Sequence, residues 1–341
     1  MKLGFNTIAI LYLLCGVIIL SSQAGAIPGP ILNLKDLVEK ADLIIIGETK
    51  SVTLQKRTTI QWNGRNIAGT SAQAVIKLDR VVSGSVDSAS ITFEFFASDE
   101  FLGFAGIPLN RFGMYFLKKT NLGSWSIADP YYPSIVASRN IPTIAETSVA
   151  RVARELSFVF NSGQASLADK IIAVSAIDTL DLPLVKKLLL DAFPNPELKV
   201  RVRIASALLK RNEVSILAFA IGLILSPPPA IDKNDIWQLA DSIEVGVSDP
   251  VSIPSLLQLL KSTEPKVRQA VAVSLTATKS QNALSPLVFL LSDSRREVRY
   301  LAVLGLARIT GKSAWGPAID IFAQDESRFI NHWKTWDKTS R

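Results

Sequence analysis

The sequence predicts an α+β protein with two structural parts, a small N-terminal β-barrel or sandwich followed by an α-solenoid. Between residues 41 and 128, several short segments alternate apolar and polar residues with the two-residue period of half-buried strands. From about Thr147 the apolar period becomes helical and stays helical. Within the helical part, residues 264–275 and 295–306 repeat each other 31 residues apart, which is a period typical of stacked helix pairs.

The first 26 residues predict a secretory signal peptide. Lys2 precedes an apolar run from Ile8 to Leu20, and Ala24 and Ala26 supply the small residues of a cleavage site. This run is shorter than the roughly 20 apolar residues that a membrane-spanning helix needs. We therefore expect cleavage after Ala26, export of the chain, and no transmembrane segment in the mature protein.

Composition argues against several classes of function. The single cysteine, Cys15, lies in the predicted signal peptide, so we expect neither a disulfide nor a thiolate in the mature chain. The formal net charge is +7, and no aromatic residues are interleaved with the densest basic cluster for base stacking. We therefore expect the rim of a repeat helix there, and no nucleic-acid binding. The cluster contains Lys199, Arg201, Arg203, Lys210 and Arg211.

Local patterns predict the elements of the N-terminal part. Asn33 is expected to cap a short helix that ends near Lys40. The apolar residues 41–47 follow directly as a buried strand. Residues 83–85 have turn chemistry, and they separate two of the later strands. Those later strands are predicted at residues 72–82, 91–95, 113–118 and 124–128.

The helical part is predicted from apolar ladders that Pro, Gly, Ser or Asp interrupt every 12 to 18 residues. In each repeat a Val-Arg pair opens a helix, and a small residue follows seven positions after the Val. The three copies are Val200-Arg201 with Ala207, Val267-Arg268 with Ser274, and Val298-Arg299 with Gly305. Ten helices, or about five repeats, are expected at residues 147–161, 166–179, 182–192, 197–210, 213–225, 234–246, 251–261, 265–277, 283–291 and 296–309.

The C-terminal segment carries an apolar stripe. Phe322, Phe329, Trp333 and Trp336 line one face of a helix. A helix of this kind is expected to cover the exposed end of the repeat stack, and the alternative is an aromatic patch that binds a partner. The predicted organisation is therefore a signal peptide at 1–26, a β-rich domain at 27–143, the solenoid at 144–312 and a capping helix at 313–341.

The Val-Arg, small-residue and Leu spacing, followed by second helices such as residues 283–293, resembles HEAT repeats of the short bacterial type. The resemblance covers residues of about 165–311. The N-terminal order of helix, strand, Gly47, strand and Gly84 is similar to the small β domain before such repeats in some exported bacterial proteins. These resemblances imply a periplasmic or secreted protein whose extended repeat surface binds a protein or peptide.

The residues do not predict an enzyme. A Ser/His/Asp arrangement needs a positioned histidine, and His332 is the single one in the chain. Its position near the C-terminus is more typical of a surface or capping residue. The pairs Asp99–Glu100 and Asp241–Glu244 are explained more simply as solvent-facing charges than as a catalytic carboxylate pair. We expect no catalytic residue, no metal site and no cofactor.

The candidate partner-binding residues fall in three places. An apolar loop carries Phe101, Leu102, Phe104 and Ile107 between strands, and it either packs internally or binds a partner. The other candidates are Arg268 and Arg299 in the repeats, and Trp333 and Trp336 in the C-terminal stripe.

Two alternative functions stay open from the sequence alone. Short bacterial HEAT repeats also occur in bilin lyases, so the resemblance leaves open a lyase-like or enzyme-associated protein. A barrel resembling the tissue metalloprotease inhibitors would suggest an inhibitor, but those inhibitors need an N-terminal cysteine and several disulfides. The first mature residue is expected to be Ile27.

Overall fold

The structure is a computed structural model that describes residues 32–62, 64–98, 107–139 and 147–340. Its contacts divide the chain into two compact units at the Ser162–Gly163 bond. A strand-rich unit precedes a helical one, so the predicted α+β class is confirmed. Within the described ranges no helix has both the length and the apolar character needed to cross a membrane.

The first unit contains one six-stranded sheet with the strand order β1-β2-β3-β5-β4-β6. β1 also pairs with β4 through its residues 43–48, so β4 has three neighbours. The strands do not lie evenly around one axis, and the predicted barrel is therefore not confirmed. The strands are β1 (Leu43–Trp62), β2 (Arg65–Ser83), β3 (Ser90–Ser98), β4 (Phe112–Lys119), β5 (Trp125–Ile127) and β6 (Ile135–Val136).

The sheet core follows the alternation seen in the sequence. In β3, Ile91, Phe93 and Phe95 are buried while the residues between them are exposed. Within this core the hydroxyls of Thr49 and Tyr115 share a hydrogen bond of 2.8 Å, which satisfies two buried polar groups. Helix α1 (Leu34–Lys40) contacts β4, and the Asn33 side chain accepts a hydrogen bond from the Asp36 amide, as predicted for its cap.

Strands β1 and β2 run well beyond the predicted segments. They pair as one long antiparallel hairpin from Ile44 and Ser83 to Trp62 and Arg65. Most side chains of residues 53–59 are exposed, so the outer part of β1 does not show the apolar alternation on which the prediction relied. Backbone pairing holds this arm, and its side chains contribute little to the core.

Helix α2 (Ser148–Asn161) belongs to the strand-rich unit by its contacts. Its Glu155 is 1% exposed and accepts hydrogen bonds from Arg80 of β2 at 2.5 and 2.9 Å. Arg80 also donates to the Ser138 carbonyl at 2.7 Å. The sequence predicts this helix as part of the solenoid because its apolar period is helical. Periodicity alone does not show which unit an amphipathic helix contacts.

The second unit is a run of helices close to the predicted positions. Short 3-10 turns at Val214–Ile216, Pro250–Ser252 and Gln281–Ala283 lead into three of them. The helices are α3 (Leu167–Asp178), α4 (Pro183–Ala192), α5 (Leu198–Leu209), α6 (Leu217–Leu225), α7 (Lys233–Gly246), α8 (Ile253–Leu259), α9 (Pro265–Ala277), α10 (Leu284–Leu290) and α11 (Arg296–Thr310).

Alternate helices of this unit form a continuous layer, which we call the first layer. Helices α3, α5, α7, α9 and α11 each contact the next one, and the intervening helices pack against them. Small residues allow this close approach: a Cβ on Gly305 would lie 2.3 Å from the Thr276 hydroxyl. Ser274 is fully buried and donates to the Ile243 carbonyl at 2.7 Å. The small residue of the repeat therefore occupies a helix–helix contact.

The C-terminal segment folds as two helices where one was predicted. After a 3-10 turn (Ser313–Trp315), α12 (Ile319–Gln324) ends at Asp325 and α13 (Glu326–Ser340) follows. α13 contacts both α10 and α11. Phe322, Phe329 and Trp333 are 0%, 4% and 0% exposed, so the apolar stripe packs against the last repeat.

Candidate partner-binding edge

A row of hydrogen-bond donors runs along one edge of the helical unit. Each donor is the fourth or fifth residue of its helix, close to the helix N-terminus. Four of the five side chains bond to an acidic residue that lies 25 to 27 positions further along the chain. We call this set the donor row; it consists of Lys170, Arg201, Trp237, Arg268 and Arg299.

Arg268 shows the complete arrangement. Its guanidinium binds both carboxylate oxygens of Asp293, at 2.6 and 3.0 Å, and donates to the Ser262 carbonyl at 2.8 Å. Burial opposes the ionisation of Asp293, but hydrogen bonds from Arg268 and from the Arg295 backbone amide outweigh it and lower the pKa of Asp293. The pair therefore fixes the loop before α11 against the start of α9.

Three other donors of the row also bond to an acidic residue near the start of the next repeat, although the donor and acceptor residue types differ. Arg299 binds Glu326 and donates to the Asp293 carbonyl at 2.7 Å. Lys170, which is 5% exposed, binds Glu197. Trp237 stands where an arginine occurs in the neighbouring repeats, and its indole N–H lies 3.4 Å from Glu264. Each donor thus connects one repeat to the next, which is a contact that helical periodicity alone cannot predict.

Arg201 is the exception in the row. Its guanidinium lies 4.8 Å from the Phe219 ring centre and 5.9 Å from that of Phe193. Its Nε is buried and has no hydrogen-bond partner among the described residues. The acid that starts the next first-layer helix, Asp232, is bonded to Lys199 at 2.7 Å. In the described part of the chain, this position of the row therefore has its donor but not its acceptor.

An open groove adjoins the row at Arg268. It has a volume of about 420 Å³, and its lining includes Leu260, Arg268, Phe289 and Asp293. Phe289 is 67% exposed, an unusual position for a large aromatic side chain on a repeat helix. Aromatic residues and arginine are both enriched at the centres of protein interfaces.

The structure places the predicted site residues in different environments. Phe101, Leu102 and Phe104 lie outside the described residues, whereas Ile107 is 4% exposed within the sheet core. Arg268 and Arg299 bond within the stack, as described above. Their contact with a partner therefore stays a prediction.

The two tryptophans of the C-terminal stripe differ from each other. Trp333 is fully buried and donates its indole N–H to the Trp315 carbonyl at 3.1 Å. Trp336 is half-buried, packs edge-on against Trp333, and has the Lys312 ammonium 5.5 Å from its ring centre. Trp333 thus has a packing position, and of the two only Trp336 reaches the surface.

His332 lies in the same C-terminal cluster. Its ring stacks on Trp315 with ring centres 3.5 Å apart and an angle of 1° between the planes. Its Nε2 is buried and has no hydrogen-bond partner among the residues described. Burial, and then the charge of Lys312, lower the pKa of His332. The neutral ring is therefore the form that this packing favours.

Acid should destabilise the C-terminal helices through His332. Because its folded-state pKa lies below the unfolded value near 6.5, the unfolded chain takes up the proton first as pH falls. We expect the melting temperature to fall between about pH 7 and pH 5 more in the wild-type protein than in His332→Phe. Equal pH profiles of the two proteins, measured by calorimetry, would show that the histidine is not responsible.

The donor row predicts unequal costs for two similar substitutions. Arg268→Gln should lower the free energy of unfolding by about 3 kcal/mol, because it leaves the nearly buried Asp293 carboxylate unpaired. Arg201→Gln removes only stacking on two phenylalanines and should cost less than about 1 kcal/mol. Urea denaturation of both variants measures the difference, and equal losses would contradict the assignment of Arg201 as unpaired.

Comparison with known families agrees with this architecture. A family model described as HEAT repeats matches residues 253–333, which extend from α8 into α13. The match therefore includes most of the C-terminal segment, which follows α11 where a further repeat would begin. None of the curated proteins compared with the chain matches its sequence. The chain carries HEAT repeats behind a strand-rich domain.

Proposed function

We propose that this protein is an exported, non-enzymatic scaffold that binds another protein along the donor row of its HEAT repeats. HEAT repeats suggest a protein-interaction scaffold. The single observation that carries the proposal is Phe289, an exposed aromatic residue on the groove beside the Arg268–Asp293 pair. Buried aromatic and arginine side chains are typical anchors near the centres of protein interfaces.

The non-enzymatic part of the proposal rests on the surroundings of the single histidine. His332 stacks on Trp315 and lies among Trp333, Lys312 and Arg328, which are not the partners of a nucleophile–base pair. Nothing in the described surroundings of His332 favours the lyase-like or the inhibitor alternative.

Partner capture tests the scaffold role. Tagged wild-type protein and a Phe289→Ser variant are incubated with the envelope fraction and the culture medium, and the retained proteins are identified by mass spectrometry. We expect a partner that the wild-type protein retains and the variant loses, although both melt at the same temperature. Leu257→Ser on α8, where the side chain is 38% exposed, serves as the matched apolar control. A partner retained equally by all three proteins would place the binding surface elsewhere.

Export makes a separate prediction about the N-terminus. Cleavage after Ala26 should leave Ile27 as the first residue of the mature protein, because the apolar run is too short to remain as an anchor. N-terminal sequencing of protein from the source organism measures this. A chain that begins at Met1, or one lipidated at Cys15, would contradict both the cleavage site and the proposed export.

A further inference from the structure

We propose that Arg201 binds the carboxylate of an aspartate or glutamate side chain from the partner protein. This inference rests on the proposed scaffold function and specifies the chemistry of one contact in it. It completes the donor row with an acid supplied from outside the chain.

The first argument is the equivalence of positions. Arg201, Arg268 and Arg299 each follow the valine of the same repeat motif. The two later arginines bind Asp293 and Glu326. At the same spacings of 25 and 27 residues after Arg201 the chain has Ser226 and Pro228, and neither side chain carries a carboxylate.

The second argument is the spacing of the helices. Successive first-layer helices begin 31 or 32 residues apart, except α5 and α7, which begin 35 residues apart at Leu198 and Lys233. The longer connection brings Asp232 and Asp235 to Lys199, at 2.7 and 2.5 Å. Asp232 also caps α7. These two acids at the start of α7 are therefore already bonded to Lys199.

The third argument is that the guanidinium of Arg201 has a buried hydrogen-bond donor, Nε, without an acceptor among the described residues. The guanidinium of Arg201 lies against Phe193 and Phe219, and aromatic faces accept hydrogen bonds only weakly. A guanidinium presents parallel N–H donors that match the two oxygens of a carboxylate. The two rings, edge-to-face at 5.1 Å, offer apolar surface to the methylene groups of an acidic side chain.

Nuclear magnetic resonance tests the contact directly. The Arg201 Nε–Hε signal of the ¹⁵N-labelled protein is assigned as the one that disappears in Arg201→Gln. N-acetyl-glutamate N-methylamide is then added at millimolar concentration, with the glutamine analogue as the uncharged control. We expect the signal to shift with the glutamate analogue only. An Arg201 signal that responds to neither, or equally to both, overturns the proposal whether or not the protein binds a partner.

A peptide array then tests selection by the whole surface. Every peptide is acetylated and amidated, so that only side chains carry a carboxylate, and each acidic peptide has a Gln or Asn counterpart. We expect an acid-over-amide preference of about tenfold or more, the value of a charged hydrogen bond. Arg201→Gln should abolish it. Arg203→Gln, which removes the same charge from the same helix, should retain it.

The outcomes of the array separate this inference from the scaffold function. A preference that survives Arg201→Gln would assign carboxylate recognition to another cation and overturn the inference, while peptide binding itself still supports a scaffold. Peptides bound by the wild-type protein without any preference for acids would also overturn it. A chain that binds no peptide, and whose Arg201 signal does not respond to the glutamate analogue, would overturn the inference, while partner capture with the Phe289→Ser variant decides the scaffold function separately.

Discussion

Leu275→Ala and Leu306→Ala are each expected to lower the free energy of unfolding of the helical unit by about 2–5 kcal/mol. Both leucines are fully buried, and each follows the small residue of its repeat, Ser274 or Gly305. Truncation to alanine leaves a cavity that the closely packed helices α9 and α11 cannot fill by collapse.

Denaturant melts of the purified variants measure this effect. Leu257→Ala is the matched control, because Leu257 belongs to the same repeats but is 38% exposed and should therefore cost much less. Losses below about 0.5 kcal/mol for the two buried leucines would be typical of surface positions. Such losses would mean that the repeat register is incorrect.

Deletion of residues 317–341 is expected to expose the apolar face of the last repeat. Phe322, Phe329 and Trp333 pack there with almost no exposure, and Glu326 binds Arg299. Without them, Tyr300 and the side of α11 that faces α13 would contact water. We expect the truncated protein to bind a hydrophobic dye or aggregate, with the repeats nearest the cut melting first and the strand-rich unit still folded.

Trp333→Ala gives the same test without removing a helix. The substitution should cost about 3–5 kcal/mol, because it removes a fully buried indole and its hydrogen bond to the Trp315 carbonyl. A truncated protein that stays monomeric, melts unchanged and loses a captured partner would contradict the capping interpretation. The aromatic stripe would then be the binding surface.

The elements whose apolar period is strong were predictable from the sequence. The predicted helices at residues 265–277 and 296–309 agree with α9 and α11 to within one residue at each end. The outer part of the β1–β2 hairpin could not be predicted in this way, because its exposed side chains do not alternate. The second C-terminal helix was missed because the stripe continues in phase across the break at Asp325.

The candidate site was predicted only in part. The Val-Arg motif identified Arg268 and Arg299, but their acceptors lie 25 and 27 residues away and require the repeat register to be known. Trp237 was missed because a tryptophan replaces the arginine of the motif there. Arg201 was assigned to a solvated rim. The signal that distinguishes it is the proline in place of an acid at residue 228.

Site-specific photocrosslinking tests the central claim, that the donor row is the partner-binding edge, most directly. Benzoylphenylalanine is placed at Phe289 beside the row, and at Arg308, an exposed residue near the opposite end of helix α11 from Arg299. We predict that irradiation in the presence of the captured partner joins it to the first position and not to the second. Cross-linking from Arg308 without cross-linking from Phe289 would contradict the account.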